Sequence, residues 1–189
     1  YNNHTGVPLS LARMPADTDY GVFEMGMNHA GEIAALTTQV RPHVALITAV
    51  APVHIEFFAG LDAIADAKAE IFAGLVPGGT AIVPFDTPYH ARLLALAQPH
   101  AARFLTFGTG AGADVRARDV IAHPTGSSVT VVLPGVELTL TIGQPGAHWV
   151  SNALAVLAAV HAVGGDLGAA ALALADMTPL AGRGARTVI

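Results

Sequence analysis

Short apolar, β-branched runs alternate with helix-patterned segments through the first two-thirds of the chain, and that alternation leaves few architectures open. The most constraining run is His43–Val50 (HVALITAV), which is apolar without the every-other-residue polarity of a half-exposed strand. Such a run fits a strand covered on both faces, as in a parallel sheet flanked by helices. Tyr20–Glu24 predicts a strand before it and Gly31–Val40 a helix between the two. Leu61–Leu75 predicts a helix stopped by Pro77-Gly78-Gly79. Thr80–Phe85 follows as a strand, Tyr89–Ala97 as a helix and Arg103–Phe107 as a strand. The fold class expected is α/β, with a doubly wound, mostly parallel sheet.

The pattern then changes. Asp114–Ala122, Ser128–Leu133 and Val136–Ile142 are short alternating segments joined by Pro/Gly turns, which predicts a small antiparallel sheet appended to the main one. Two helices, Trp149–Val163 and Leu167–Met177, complete the chain, with no internal repeat and no low-complexity linker.

Composition narrows the function. At 189 residues, with 52% hydrophobic and 12% charged side chains, the chain has ample material for a core. A formal net charge of -5 does not favour nucleic acid or an anionic membrane, so an anionic substrate needs metal ions or individual arginines. The absence of cysteine excludes disulfides, thiolate catalysis and cysteine-based zinc sites, and fits a reducing cytoplasm. The most apolar stretch, Ala153–Ala175, is interrupted by His161, Gly164, Gly165 and Asp166 and does not read as a membrane span. The chain opens on Tyr1-Asn2-Asn3-His4 with no initiator methionine or signal peptide and closes on the strand-like Thr187-Val188-Ile189, so both ends read as cut.

Ligands of open parallel sheets bind beyond the carboxyl ends of the strands. Glu24 stands there after the first predicted strand, His54 after the second and Asp86 after the third. Glu24 and His54 suit a hard or borderline cation, although strand ends commonly carry polar residues in any case. Lys68 is the only lysine, and it falls in the stripe Leu61, Ile64, Lys68, Phe72, Leu75 on the apolar face of its helix. Burial there lowers the amine's pKa, and a neutral amine can take up carbon dioxide as a carbamate, becoming an anionic ligand; a head group reaching to water is the plainer alternative. Gly108-Thr109-Gly110-Ala111-Gly112-Ala113 lacks dinucleotide-loop spacing and reads as a loop. The nine histidines show no HExxH or paired zinc spacing; His161 reads as a core or edge residue, and His90, His100 and His123 as surface residues.

Several stretches in order along the chain resemble the central ATPase domain of the Mur ligases. They are Asn2-Asn3-His4-Thr5-Gly6-Val7-Pro8 with Leu9-Ser10-Leu11, Phe23-Glu24-Met25-Gly26-Met27-Asn28-His29-Ala30-Gly31-Glu32-Ile33, and Val53-His54-Ile55-Glu56. Further matches are Asp66-Ala67-Lys68-Ala69-Glu70-Ile71-Phe72, Gly146-Ala147-His148-Trp149-Val150-Ser151-Asn152-Ala153-Leu154-Ala155 and Pro179-Leu180-Ala181-Gly182-Arg183-Gly184. The Glu-x-Gly-x-Asn-His stretch points to the branch that joins D-alanyl-D-alanine to UDP-N-acetylmuramoyl-tripeptide in peptidoglycan precursor synthesis.

The resemblance implies an ATP-dependent acid–amino-acid ligase working through an acyl phosphate, with two magnesium ions. Glu24, His54 and Lys68 match metal ligands, Lys68 as the carbamylated lysine. Asn3 matches an asparagine near the phosphates, and Asn2, Asn28 and His29 fall in the substrate-side stretches. Asn152 matches the adenine contact, Arg183 an arginine on the nucleotide side, and Asp86 the nucleotide loop after the third strand. By this resemblance residues 1–189 are part of the central domain, without the phosphate-loop strand, the UDP-binding N-terminal domain and the C-terminal domain. Such a piece is expected to be inactive alone and prone to self-association, from a cytoplasmic and monomeric parent. Two motifs depart from the family: His148-Trp149 replaces a His-Asn pair, and Pro84-Phe85-Asp86-Thr87 replaces Asn-x-Asp-Asp. A sister Mur or folylpolyglutamate-type ligase and a non-catalytic nucleotide- or precursor-binding module are the alternatives.

Overall fold

A computed structural model describes residues 2–52 and 57–177. Six strands lie in one sheet in the order β1 to β6: Val44–Leu46, Thr80–Pro84, Arg103–Gly108, Val115–His123, Gly126–Leu133 and Val136–Ile142. The helices are α1 (Gly6–Ala12), α2 (Glu32–Val40), α3 (Leu61–Ala69), α4 (His90–Ala97), α5 (Ala147–Ala162) and α6 (Leu167–Ala175). The chain divides into two compact units, Tyr1–Phe104 and Leu105–Ile189.

In the first unit β1 runs parallel to β2, with Ala45 opposite Ala81. Parallel strands need a crossover, and α3 supplies it. All five β2 residues are buried, the pattern of a strand covered on both faces. Alanines at 45, 65, 69, 81 and 97 let helix and strand backbones approach closely, while Phe72, Leu93, Ile47 and Val83 fill the space between them.

The second unit is built on antiparallel pairing. β4 joins β3 in parallel at Phe107–Val115 and then pairs antiparallel with β5, which pairs antiparallel with β6. β5 alternates buried and half-buried residues from Val129 to Leu133, the period of a strand with one face in the core. Helix α5 covers these strands with Val150, Ala153, Leu154, Leu157 and Ala158, spaced three and four apart on one buried face. Helix α6 begins at Asp166, whose carboxylate accepts from the amides of Gly168 and Ala169 at 2.8 and 3.0 Å.

The antiparallel strands expected after residue 113 are present as the far end of the single sheet. Three expectations are corrected. Tyr20–Glu24 is not a strand: the segment has no ladder partner among the described residues, and Val22 is 97% exposed. An apolar alternating segment becomes a strand only when another strand takes up its amides and carbonyls. Of His43–Val50, Val44–Leu46 forms the ladder, extended by one bond from the Ile47 amide to the Ile82 carbonyl at 3.1 Å. Leu61–Leu75 is not one helix: α3 ends at Ala69 and a 3-10 helix runs over Glu70–Gly74. The tighter turn brings Gly74 against α2, where an added Cβ would lie 2.3 Å from the Thr37 carbonyl oxygen. Helix α1 was not anticipated, because Gly6-Val7-Pro8 does not read as a helix start.

The strand predicted at Thr187-Val188-Ile189 lies outside the described residues. Gly74→Ala is expected to destabilise the fold by about 1–3 kcal/mol, since neither backbone can yield without repacking Phe72. A denaturant titration showing a lowered midpoint at unchanged slope checks this.

Candidate functional site

The loop from Val22 to Gly31 and the start of the chain make a shallow cleft lined by Asn2, Val7, Ser10, Val22, Phe23 and Glu24. Asn2 holds its floor. Its side-chain Nδ2 donates to Glu24 Oε1 at 3.1 Å, and its carbonyl accepts from the Gly26 amide at 2.7 Å. Glycine at 26 leaves room for the Asn2 side chain, since a Cβ there would stand 2.9 Å from Asn2 Nδ2 and displace it. Asn3 is used differently: its Oδ1 accepts from the amides of Thr5 and Gly6 at 3.1 and 2.9 Å and so caps the first turn of α1. Asn2 and Glu24 are therefore brought together, with Glu24 exposed and one of its oxygens oriented, while Asn3 turns to α1.

Two carboxylates fix the rest of the loop. Glu32 Oε2 accepts from the amides of Asn28 at 2.7 Å and His29 at 3.2 Å, and Oε1 lies 3.4 Å from His29 Nδ1. These amide bonds hold the Glu32 carboxyl below its usual range. The His29 ring also leans on Phe57, with centroids 5.3 Å apart. Glu70 reaches the same loop from the far side, accepting from the Gly31 amide at 2.7 Å and the Ala34 amide at 3.1 Å. Neither Glu32 nor Glu70 was singled out from the sequence as a site residue. The available signal was their position, Glu32 four residues after Asn28 and Glu70 two after Lys68.

Lys68 sits where its helical stripe places it, between fully buried Ile64 and Phe72, with its own side chain half-buried. Burial pushes its amine below the ordinary lysine value. Nearby, Arg92 pairs with Asp66 through Nε at 2.7 Å and with Asp62 at 3.3 Å, which lowers the Asp66 carboxyl and keeps those charges on the exposed side of α3. Asp86 follows β2 and is exposed. Asn152 is exposed on α5, in the second unit. His54 and Arg183 lie outside the described residues. Among the described residues no three His, Asp or Glu side chains gather as a ready-made metal cage.

Residues 1–160 match the family model of the Mur ligase middle domain. The chain belongs to the Mur ligase family. It is 34% identical over 190 residues to the UDP-N-acetylmuramoyl-tripeptide--D-alanyl-D-alanine ligase of Escherichia coli, covering 96% of this chain and 40% of that protein. It is 37% identical over 160 residues to the UDP-N-acetylmuramate--L-alanine ligase of Streptomyces coelicolor, covering 84% of this chain and 34% of the other. Among solved structures, MurF from Acinetobacter baumannii superposes with a TM-score of 0.89 at 32% identity, covering 96% of this chain and 39% of that one. The chain thus spans about two-fifths of the length of the Escherichia coli and Acinetobacter relatives.

The depressed Lys68 basicity has a sign that can be measured. The unfolded chain binds the proton more tightly than the folded one, so stability rises with pH through the window between the lowered folded pKa and the unfolded value near 10.5. Lys68→Met is expected to remove that rise and to be the more stable form at neutral pH. Denaturant midpoints measured across neutral to alkaline pH for both proteins check this.

Proposed function

We propose that this chain is the nucleotide- and metal-binding part of a ligase that joins D-alanyl-D-alanine to UDP-N-acetylmuramoyl-tripeptide. ATP would activate the terminal carboxylate of the tripeptide as an acyl phosphate, which the dipeptide amine attacks to form the amide. The observation that carries this reading is the Glu24–Ile33 loop, with Glu24 oriented by Asn2 and the Asn28 and His29 amides held by Glu32. The resemblance links that stretch to the D-alanyl-D-alanine branch, and a relative bearing that name matches nearly the whole chain. The Streptomyces coelicolor relative favours a sister ligase that adds a single amino acid, over a shorter stretch of this chain.

The oxygen donors suit magnesium, an exposed, oriented carboxylate at Glu24 and Lys68 as a carbamate, with His54 the further ligand that the resemblance implies. When bound, magnesium offsets the repulsion between a carboxylate and a triphosphate and aligns the transfer. A charged Lys68 ammonium would repel the metal, and burial disfavours that form. The neutral amine can instead attack carbon dioxide: an N–C bond forms, the nitrogen loses a proton to solvent, and the new oxygens carry the negative charge. Asn152 would face adenine, with Arg183 and Asp86 on the nucleotide side. Asn2, Asn3, Asn28 and His29 would lie toward the phosphates and the acceptor peptide. The full-length protein is expected to be a cytoplasmic monomer; no described helix is long and apolar enough to cross a membrane.

Assay of the full-length protein with D-alanyl-D-alanine against single amino acids tests the reading. Preferential use of a single amino acid overturns it in favour of the sister. Lys68→Ala is expected to cut turnover on the order of 10²–10³-fold, the scale of a lost charge-stabilising group. Bicarbonate or short carboxylic acids that partly restore turnover support the carbamate. Unchanged turnover in Lys68→Ala overturns the role given to Lys68, and a full-length protein that binds nucleotide but forms no amide favours a non-catalytic binding module. Residues 1–189 alone are expected to form no amide.

A further inference from the structure

The candidate site combines groups from two separate elements: Lys68 on α3, and Asn28 and His29 on the loop before α2. Positioned catalysis depends on the register between such elements, and a misplacement near 1 Å can cost on the order of 10²-fold in rate. Three ties join α2 to the segment that follows Lys68, two on the body of the helix and one at the loop. Thr37 Oγ1, on α2, donates to the Ile71 carbonyl at 2.8 Å. Gly74 lets the 3-10 helix lie directly on the Thr37 backbone. Both of these act on the body of α2.

The third tie acts at the loop itself. Glu70 follows Lys68 by two residues and sends its two oxygens to two different amides, Oε1 to Gly31 at 2.7 Å and Oε2 to Ala34 at 3.1 Å. Gly31, with φ of +89°, is the residue that opens α2, and its amide donates outside the helix to Glu70. The helix has no side-chain cap from its own N-cap residue. Glu70 meets that need from 39 residues away in sequence. Glu32, the next residue along, holds Asn28 and His29. The connections therefore run without a break from the Lys68 helix through Glu70 to Gly31 and through Glu32 to Asn28 and His29.

We propose that Glu70 is a positioning residue, the carboxylate that locks the Asn28–His29 loop to the helix bearing Lys68. Its part in turnover rests on the ligase reading above; its part in the loop does not. The choice of glutamate follows from the geometry. Two divergent amides need two acceptor oxygens, and a carboxylate supplies both, whereas glutamine would set its own NH₂ against one backbone N–H.

The test uses the full-length protein with Glu70→Gln, Glu70→Asp and, for comparison, Thr37→Val, which cuts a tie between the same elements away from the loop. Glu70→Gln is expected to speed amide hydrogen exchange at Gly31 and Ala34 and to lower kcat about 10–100-fold with the KM for ATP unchanged. Glu70→Asp, with both oxygens on a shorter stem, recovers part of the loss. Thr37→Val lowers the melting temperature but keeps kcat. Glu70→Gln with faster exchange and wild-type kcat overturns the positioning role. So does a kcat loss that tracks melting temperature equally in Glu70→Gln and Thr37→Val. If Glu70→Gln does not fold, Glu70→Asp is judged by the same criteria. A wild-type protein that does not use D-alanyl-D-alanine overturns the ligase reading, and the tether then stands or falls on exchange alone: unchanged protection at Gly31 and Ala34 in the variant overturns it.

Discussion

The contact between α2 and the 3-10 helix that continues from Lys68 sets the geometry of the first unit. It is made at close range because Gly74 has no side chain, and it is fastened by Thr37 in the middle and Glu70 at the end. A helix end leaves amides without partners, and a buried or half-buried segment has to satisfy them. Here the partners come from an element that also carries the chain's only lysine. Glu70 thus satisfies the start of α2 from the segment that directly follows Lys68 in the chain.

The opposite side of the loop follows the same logic with neutral groups. Asn2 bonds Glu24 through its side chain and Gly26 through its backbone, while Asn3 caps α1. The neighbouring asparagines thus divide the work: one orients a carboxylate that carries candidate chemistry, and the other closes the helix that lines the cleft. Lys68 sits half-buried on the apolar face of α3, where burial weakens its hold on a proton. Arg92, paired with Asp66 and Asp62, keeps its charge on the solvent side of α3. Pairs of that kind add little to stability.

Family membership and branch rest on different kinds of observation. The match over residues 1–160 and the superposition on MurF concern the scaffold. The proposed branch rests on a few side chains in the Glu24–Ile33 loop, because a shared scaffold does not by itself fix the amino-acid donor. The Streptomyces coelicolor relative, slightly higher in identity over a shorter span, illustrates why scaffold likeness does not choose the substrate.

The sequence by itself determined the α/β class, the order of nearly every element, the family, and the placement of Lys68 on an apolar helical face. These follow from local periodicity and from residue order, which a linear chain displays directly. Tyr20–Glu24 shows where periodicity stops: its alternation is that of a strand, but a strand exists only with a partner, and among the described residues none lies alongside it. The break of Leu61–Leu75 into α3 and a 3-10 helix was likewise settled by Thr37, far away in sequence. Only the tertiary structure decided what holds the site loop. Glu32 signalled its role weakly by its spacing from Asn28, whereas Glu70 read as one more acidic residue on a helix. Its two amide partners come within hydrogen-bond distance only after α2 docks on the Lys68 element, and no local pattern encodes a contact that docking creates.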